Sequence, residues 1–319
     1  MTFKALRFSR FGPVRSVLSI EELPRPEVSP GKVLVQVAAS AINPSDIKNV
    51  TGSFPHATLP RTPGRDFAGR VASSSEWKGA EVWGTAPGLG FTRDGTHAQY
   101  VVVPSESLSR KPESLSMEQA AAVGVPYLAA WSGLMEAARL QSGETVLIVG
   151  VSGAVGRAAT QIAQWKNAEV IGADRKMENT AGTDAMINTS TSDLHEEVMR
   201  LTGGRGVDVA LDAVGGPMFE PVLRSLALHG RHVAITSTGE RRVCFDLMDF
   251  YHNLSQLHGI DTLKLTSAEI GAFMDEFSDG FERGMLEPPE VQIWPLEKAV
   301  EAYEAAESGK AQAKQVLVP

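Results

Sequence analysis

The sequence predicts an α/β protein in two parts, a doubly wound parallel sheet in the middle of the chain and an antiparallel, barrel-like β domain. Three observations predict it. Residues 143–174, GETVLIVGVSGAVGRAATQIAQWKNAEVIGAD, read as strand, glycine turn, helix, strand and acid. Strands and helices keep alternating from there to about residue 262, as a sheet with helical crossovers requires. Residues 1 to about 120 instead carry short alternating strands between proline and glycine turns, the pattern of an antiparallel domain.

The chain opens with MTFKALRFSRFG, which mixes charge into apolar residues and reads as a first strand rather than a signal peptide. Strands follow at 32–37, 71–73 and 100–103, with turns at Pro24, Pro26, Pro30-Gly31 and Pro63-Gly64. Residues 116–140, rich in Ala and Leu and opening on Ser116 with Glu118 and Gln119 close behind, read as helix.

Residues 145–149 are apolar and β-branched, suited to a strand buried on both faces. Gly150, Gly153 and Gly156 then give the spacing GxxGxxG. The next helix carries Ala158, Ala159, Ile162, Ala163 and Trp165 on one face, and a second strand, 170–174, ends on Asp174. This is the βαβ plan that binds a dinucleotide: glycines let the backbone approach a pyrophosphate, and N–H groups at the helix start hold the anion. Aligned on Gly153 and Gly156, the first glycine of a strict GxGxxG is Val151, so the tight turn is made differently. The competing reading is a helix–sheet packing turn with no ligand. Further strands are expected at 185–187, 206–212, 230–236 and 258–262, with helices at 194–201 and 218–228. That makes six strands, with the cofactor along their carboxyl ends. After about residue 265 come a helix (267–283), a strand (289–293), a helix (296–307) and a strand (315–318). These have no room in a six-stranded sheet and are assigned back to the first domain.

A chain of 319 residues is long enough for two domains with separate cores. Its 43% hydrophobic and 21% charged residues are those of a soluble globular protein, and no apolar run is long enough to span a bilayer. The net charge of −8 excludes a nucleic-acid or anionic-membrane surface among the expected partners. Cys244 is the one cysteine, so there is no internal disulfide and no cysteine-rich zinc site, which suits a reducing cytoplasm; it reads as a small hydrophobe near the last strands. Seven histidines show no metal-pair spacing, and His97 stands out only because it lies in a loop motif near the expected cleft.

Ala41-Ile-Asn43-Pro44-Ser-Asp46, Pro63-Gly64-Arg-Asp66-Phe-Ala-Gly69, Gly95-Thr-His-Ala-Gln-Tyr-Val-Val-Val-Pro104, the glycine turn, Asp212-Ala-Val-Gly-Gly216 and Ala313-Lys314-Gln-Val-Leu-Val318 together resemble the medium-chain dehydrogenase/reductase superfamily. Within it they resemble the zinc-free quinone oxidoreductase branch, over nearly the whole length. The resemblance implies a GroES-like β-barrel catalytic domain (1–120 and 265–319) around a Rossmann domain (121–264). It also implies hydride transfer from NADPH to a quinone or similar activated carbonyl or alkene. A 2-enoyl or alkenal reductase and a dinucleotide-binding protein with little turnover stand as alternatives.

Zinc members of the superfamily have a cysteine near Ser45 and Gly-His-Glu near residue 64. This chain has Asn43-Pro-Ser-Asp46 and Gly64-Arg-Asp66 and lacks the four-cysteine lobe, so no metal ligand is expected. Asn43 and Asp46 are the catalytic candidates, Asn43 as a donor orienting substrate or carboxamide and Asp46 as an orienting or proton-relay group. Turn chemistry is the competing reading for both. The dinucleotide is expected on Asn43, Ser152, Gly153, Ala154, Val155, Asp174, Arg175, Lys176, Ala213, Val214, Thr236 and Ser237. Asp174 favours NADH through the ribose hydroxyls, whereas Arg175 and Lys176 could hold the 2′-phosphate of NADPH, the expected cofactor; alternatively these two are a solvated pair, with Asp174 capping a short helix within 177–184. The tyrosines and the Thr-Ala pair common among relatives are missing: residues 47–54 hold no tyrosine, and Ala129-Ala130 replaces the pair. Phe54, Phe91 and Trp83 are the expected pocket walls. A small-molecule substrate and a second copy of the chain are the expected partners, the homodimer forming along residues 254–262.

Overall fold

The structure is a computed structural model that describes residues 1–73, 76–177, 182–309 and 313–319. The chain divides into one unit of Met1–Val125 with Leu263–Pro319 and a second of Pro126–Thr262. The short helix expected after Asp174 falls largely on 178–181, outside the described residues.

In the first unit, β1 (Thr2–Arg7) and β2 (Ser19–Pro24) pair as an antiparallel ribbon. They are followed by β3 (Lys32–Ala41), β4 (Phe67–Val71), β5 (Glu81–Gly84), β6 (Tyr100–Pro104) and β7 (Ser109–Arg110). β3 is the organising strand. It pairs antiparallel with β4 and β6 and turns Val33, Val35 and Val37 into a core with Phe67, Val82, Leu89, Val101 and Val103. The alternation of apolar residues thus meets a buried face, as the strand period of two requires. The strand expected at 71–73 lies instead at 67–71: Ser73 Oγ accepts the Leu34 N–H and takes that ladder position from the backbone.

The second unit holds β8 (Thr145–Val149), β9 (Glu169–Asp174), β10 (Ala185–Asn188), β11 (Val207–Asp212), β12 (Leu226–Ala234) and β13 (Gln256–Gly259). Their spatial order is β10-β9-β8-β11-β12-β13, and every pair is parallel. This is the doubly wound order, reversing between β8 and β11. All five residues of β8 are buried, which is why it reads as a continuous apolar run.

Several expectations from residue 116 onward are corrected. The helix expected at 218–228 ends at Arg224, and the strand after it starts at Leu226 rather than residue 230. Gly230 lies inside that strand beside a register irregularity, where Val207 faces Leu226 but Val209 faces Arg231. The sixth strand is Gln256–Gly259, earlier than 258–262. The helix expected at 116–140 is broken into Met117–Ala121, Gly124–Trp131 and a π-turn at Ser132–Ala137. Cys244, expected near the last strands, is exposed in the segment after β12.

The C-terminal residues join the first sheet. β14 (Val291–Pro295) runs parallel to β15 (Lys314–Val318), and β15 pairs antiparallel with β3, Val316 opposite Ala41 and Leu317 opposite Ser40. Among the described residues no helix is long and apolar enough to cross a membrane.

Candidate active site

In the second unit the candidate residues gather along the carboxyl edge of the parallel sheet. β8 ends at Val149, and Gly150 turns the chain with φ +80°, a conformation that suits glycine. Gly150 therefore makes the tight turn that the Val151 alignment left open. Gly153 caps the helix Ala154–Trp165 with no side-chain hydrogen bond, so among the described residues no cap residue's side chain covers the first N–H groups, Ala154 and Val155 among them. Gly156 fixes how closely that helix packs: a Cβ there would lie 2.3 Å from the Gly150 carbonyl oxygen.

Asp174 ends β9 and reaches back to this turn. Its Oδ2 accepts from the Ser152 N–H (3.1 Å) and hydroxyl (2.5 Å), and its Oδ1 from the Arg175 N–H (2.7 Å). The acid thus fixes the glycine turn. Arg175 and Lys176 are exposed beside it. At the end of β11, Asp212 Oδ1 accepts from the N–H groups of Val214 (2.9 Å) and Gly215 (2.8 Å). Ala213 and Val214 lie against the glycine turn, for a Cβ on Gly150 would meet Val214 at 3.1 Å and Ala213 at 3.7 Å. Thr236 and Ser237 follow β12, and the next residue closes the group, Thr238 N–H donating to the Val214 carbonyl at 2.8 Å. These residues fit a nicotinamide dinucleotide: an uncapped helix start for the pyrophosphate, a turn without side chains to let it approach, and an acid at the ribose position.

In the first unit, Asn43 and Asp46 belong to a buried polar cluster. Asn43, with φ −104° and ψ 153°, caps the helix Pro44–Val50, whose first residue is a favoured proline. The Asn43 N–H donates to Asp46 Oδ2 at 2.8 Å, one arm of a capping box. Turn chemistry therefore accounts for part of this motif. The Asn43 side chain goes elsewhere: its amide nitrogen donates to Asp66 Oδ2 (2.8 Å), and its amide oxygen accepts from Lys314 Nζ (2.5 Å). Asp66 Oδ1 accepts from the Val125 N–H at 3.0 Å. Asp46 is 1% exposed and Asp66 fully buried.

Burial pushes the Asp46 carboxyl up to about 7, aided by the charge of Asp66 and opposed by the Asn43 N–H, Arg65 and Lys314. Burial raises Asp66 too, against the opposing pull of Lys314, Asn43, Arg65 and the Val125 amide. Among the described residues, Asp46 Oδ1 and Ser45 Oγ have no hydrogen-bond partner. With a value near 7, the Asp46 carboxyl is poised to exchange a proton around neutral pH.

His97 lies in the same unit, fully buried. The Ala41 carbonyl can only accept, so His97 Nε2 carries the hydrogen (3.2 Å) and Nδ1 accepts from the Tyr303 hydroxyl (2.9 Å). Burial lowers His97 to about 4 and raises Tyr303 well above its ordinary value, so both stay neutral. His97 is a structural link to the helix Ala299–Glu307. Of the expected walls, Phe54 and Phe91 meet edge to face at 5.1 Å, and the exposed His56 stacks on Phe91 at 5.7 Å. Trp83 is corrected: it is fully buried against Phe281 and lines no opening.

Sequence reasoning gave no role to Asp66 or Lys314, although both stood in quoted motifs. The signal for each was a charge placed where an apolar strand begins, Asp66 before Phe67–Val71 and Lys314 at the start of Lys314–Val318. Among the described residues, no three His, Cys, Asp or Glu side chains form a group that could hold a metal ion.

Comparison with known proteins bears on both units. Residues 29–113 match the alcohol dehydrogenase GroES-like domain, and residues 154–279 the zinc-binding dehydrogenase family. A zinc-type alcohol dehydrogenase-like protein of Schizosaccharomyces pombe is 35% identical over 272 residues, 84% of this chain and 81% of its own. The quinone oxidoreductase of Homo sapiens is 27% identical over 307 residues, 94% and 93% of the two chains. An alcohol dehydrogenase superfamily protein from Novosphingobium aromaticivorans superposes with a TM-score of 0.89 at 28% identity, covering 100% of both chains.

Proposed function

This chain belongs to the medium-chain dehydrogenase/reductase superfamily, in its quinone oxidoreductase branch, and we propose that it is a zinc-independent reductase that passes a hydride from NADPH to a quinone or a similar activated carbonyl or alkene. The single observation that carries this reading is the Lys314–Asn43–Asp66 chain. An ammonium 2.5 Å from the Asn43 amide oxygen sets a positive charge in the cluster, and a dication there would meet repulsion instead of a ligand set. Without a Lewis acid to polarise a plain ketone, the acceptor must delocalise charge by itself. Quinones and α,β-unsaturated carbonyls do so.

A bound NADPH supplies the hydride. The glycine turn and the start of the helix Ala154–Trp165 hold its pyrophosphate, with Arg175 and Lys176 taking the 2′-phosphate. The protein's own contribution to the chemistry is the proton. Reduction places a hydride on the acceptor and leaves charge on its oxygen, and Asp46, protonated up to about pH 7, is the source that neutralises it. Asn43 has a second amide hydrogen beyond the one given to Asp66, and orients the acceptor with it.

The test is steady-state NADPH oxidation by purified protein with 9,10-phenanthrenequinone and, in parallel, with an open-chain enone, alongside metal analysis. Turnover of the quinone without stoichiometric zinc is expected. Turnover of the enone alone would move the assignment to an alkenal reductase. Dinucleotide binding with neither acceptor reduced, or activity that tracks bound zinc, would overturn the reading.

A second copy of the chain is the proposed partner. Among the described residues β13 pairs only with β12 and so leaves an open strand edge, flanked by exposed Tyr251 (51%), Leu254 (52%) and Leu257 (40%).

A further inference from the structure

His232 sits on β12 and takes no part in the chemistry outlined above, yet it is fully buried beside another ionisable group. In the parallel register, His232 faces Ala210 and Ala234 faces Asp212, so alternation brings His232 and Asp212 to the same face of the sheet. Both are 0% exposed, and His232 Nε2 lies 3.5 Å from Asp212 Oδ2. Neither ring nitrogen nor Oδ2 has a hydrogen-bond partner among the described residues. The Phe219 ring packs on the imidazole at 4.7 Å and restricts its rotation.

The other carboxylate oxygen is the one that matters to the loop. Asp212 Oδ1 receives the N–H groups of Val214 and Gly215. That loop is tightly fitted to its neighbours: a Cβ on Gly215 would lie 2.3 Å from the Thr236 carbonyl oxygen, and one on Gly216 2.4 Å from that of Thr238. A carboxylate held on one side only can rotate about its terminal bond, and a buried one lacking a donor on its second oxygen is costly. The imidazole is the group in reach of that second oxygen.

Resting on the dinucleotide reading above, we propose that His232 is a positioning residue for the cofactor: it fixes Asp212 Oδ2, so that Oδ1 holds the Val214 and Gly215 amides where the dinucleotide is received. His232 touches neither cofactor nor substrate and acts through Asp212.

The experiment compares the full-length protein with His232→Leu, which removes the ring nitrogens at similar volume, and His232→Gln, whose side-chain amide can donate to Oδ2. His232→Asn, polar but too short to reach, replaces the leucine variant should that one fail to fold. Amide hydrogen exchange over residues 213–216 is measured without cofactor, and the NADPH dissociation constant by tryptophan fluorescence. In His232→Leu, exchange over 213–216 should accelerate and NADPH binding weaken, each about tenfold. The kcat at saturating NADPH should stay within about twofold, and His232→Gln should recover both properties. Unchanged exchange and affinity in His232→Leu, no recovery in His232→Gln, or loosening spread evenly over the sheet would overturn the proposal. A wild-type protein that binds neither NADPH nor NADH would instead overturn the dinucleotide reading, while exchange over 213–216 would still decide whether His232 holds the loop.

Discussion

Asp46 shows how burial changes the chemistry of one side chain. Its carboxyl moves from an ordinary value of 3.8 up to about 7, chiefly because ionising it inside the first unit loses hydration. The raised value means that Asp46 favours folding fully below about pH 4 and loses that contribution as pH rises through about 7. The contribution lost is on the order of 4 kcal/mol. Asp46→Asn, neutral at every pH, should therefore flatten the fall in stability between about pH 4 and pH 7, as followed by denaturant melts at several pH values. With 9,10-phenanthrenequinone as acceptor, kcat of the wild type should decline above about pH 7 and that of Asp46→Asn should be lower and lack this break. A break that persists in the variant would assign the proton to another group. Asn43 and Asp46 were legible because their motif is local: three residues set the cap. Lys314 was not legible, since its bond to Asn43 spans 271 residues. The β15–β3 register creates it: Val316 faces Ala41, the Ile42 N–H donates to the Gln315 carbonyl, and the next residues along, Lys314 and Asn43, come within reach of each other.

At the scale of elements, the glycine turn carries most of what the sequence disclosed. β8, its turn and the helix Ala154–Trp165 lie where the apolar run and glycine spacing place them, because each rule there is local and all agree. β12 was misplaced for the opposite reason. Gly230 reads as a strand start, but the pairing with β11 absorbs it within the strand, and no local pattern announces a register irregularity. The proposed preference for NADPH rests on Arg175 and Lys176, just after β9. Both oxygens of Asp174 are engaged by the Ser152 and Arg175 backbone and hydroxyl groups, whereas the Arg175 and Lys176 side chains are exposed. Replacing both with alanine should weaken NADPH binding about tenfold or more and leave NADH within about twofold, the loss of charge-assisted bonds to one phosphate. Side-by-side fluorescence titrations measure it, and an equal loss for both dinucleotides would remove these two residues from the assignment.

For the whole molecule, the prediction concerns the open edge of the second unit's sheet. β13 is four residues long, with Leu257 partly exposed on it and Leu254 and Tyr251 just before it. Paired with a second copy about a two-fold axis, that edge would continue the sheet and cover these side chains. Light scattering at micromolar concentration should give twice the 34.1 kDa chain mass, and Leu257→Asp should shift it toward the monomer without loss of helix signal. A monomeric wild type would sink the idea.

The sequence by itself determined the fold class and the succession of six strands along the chain, because strand, turn and helix signals depend on neighbours a few residues apart. It also marked which residues line the carboxyl edge, since in a parallel sheet every strand end falls on one side. Only the tertiary structure decided what those residues do to one another. Asp174 fixes the glycine turn, Lys314 grips Asn43, and His232 meets Asp212. Each contact depends on the register between strands and on the burial that follows from it, and neither is written in the spacing of any one segment.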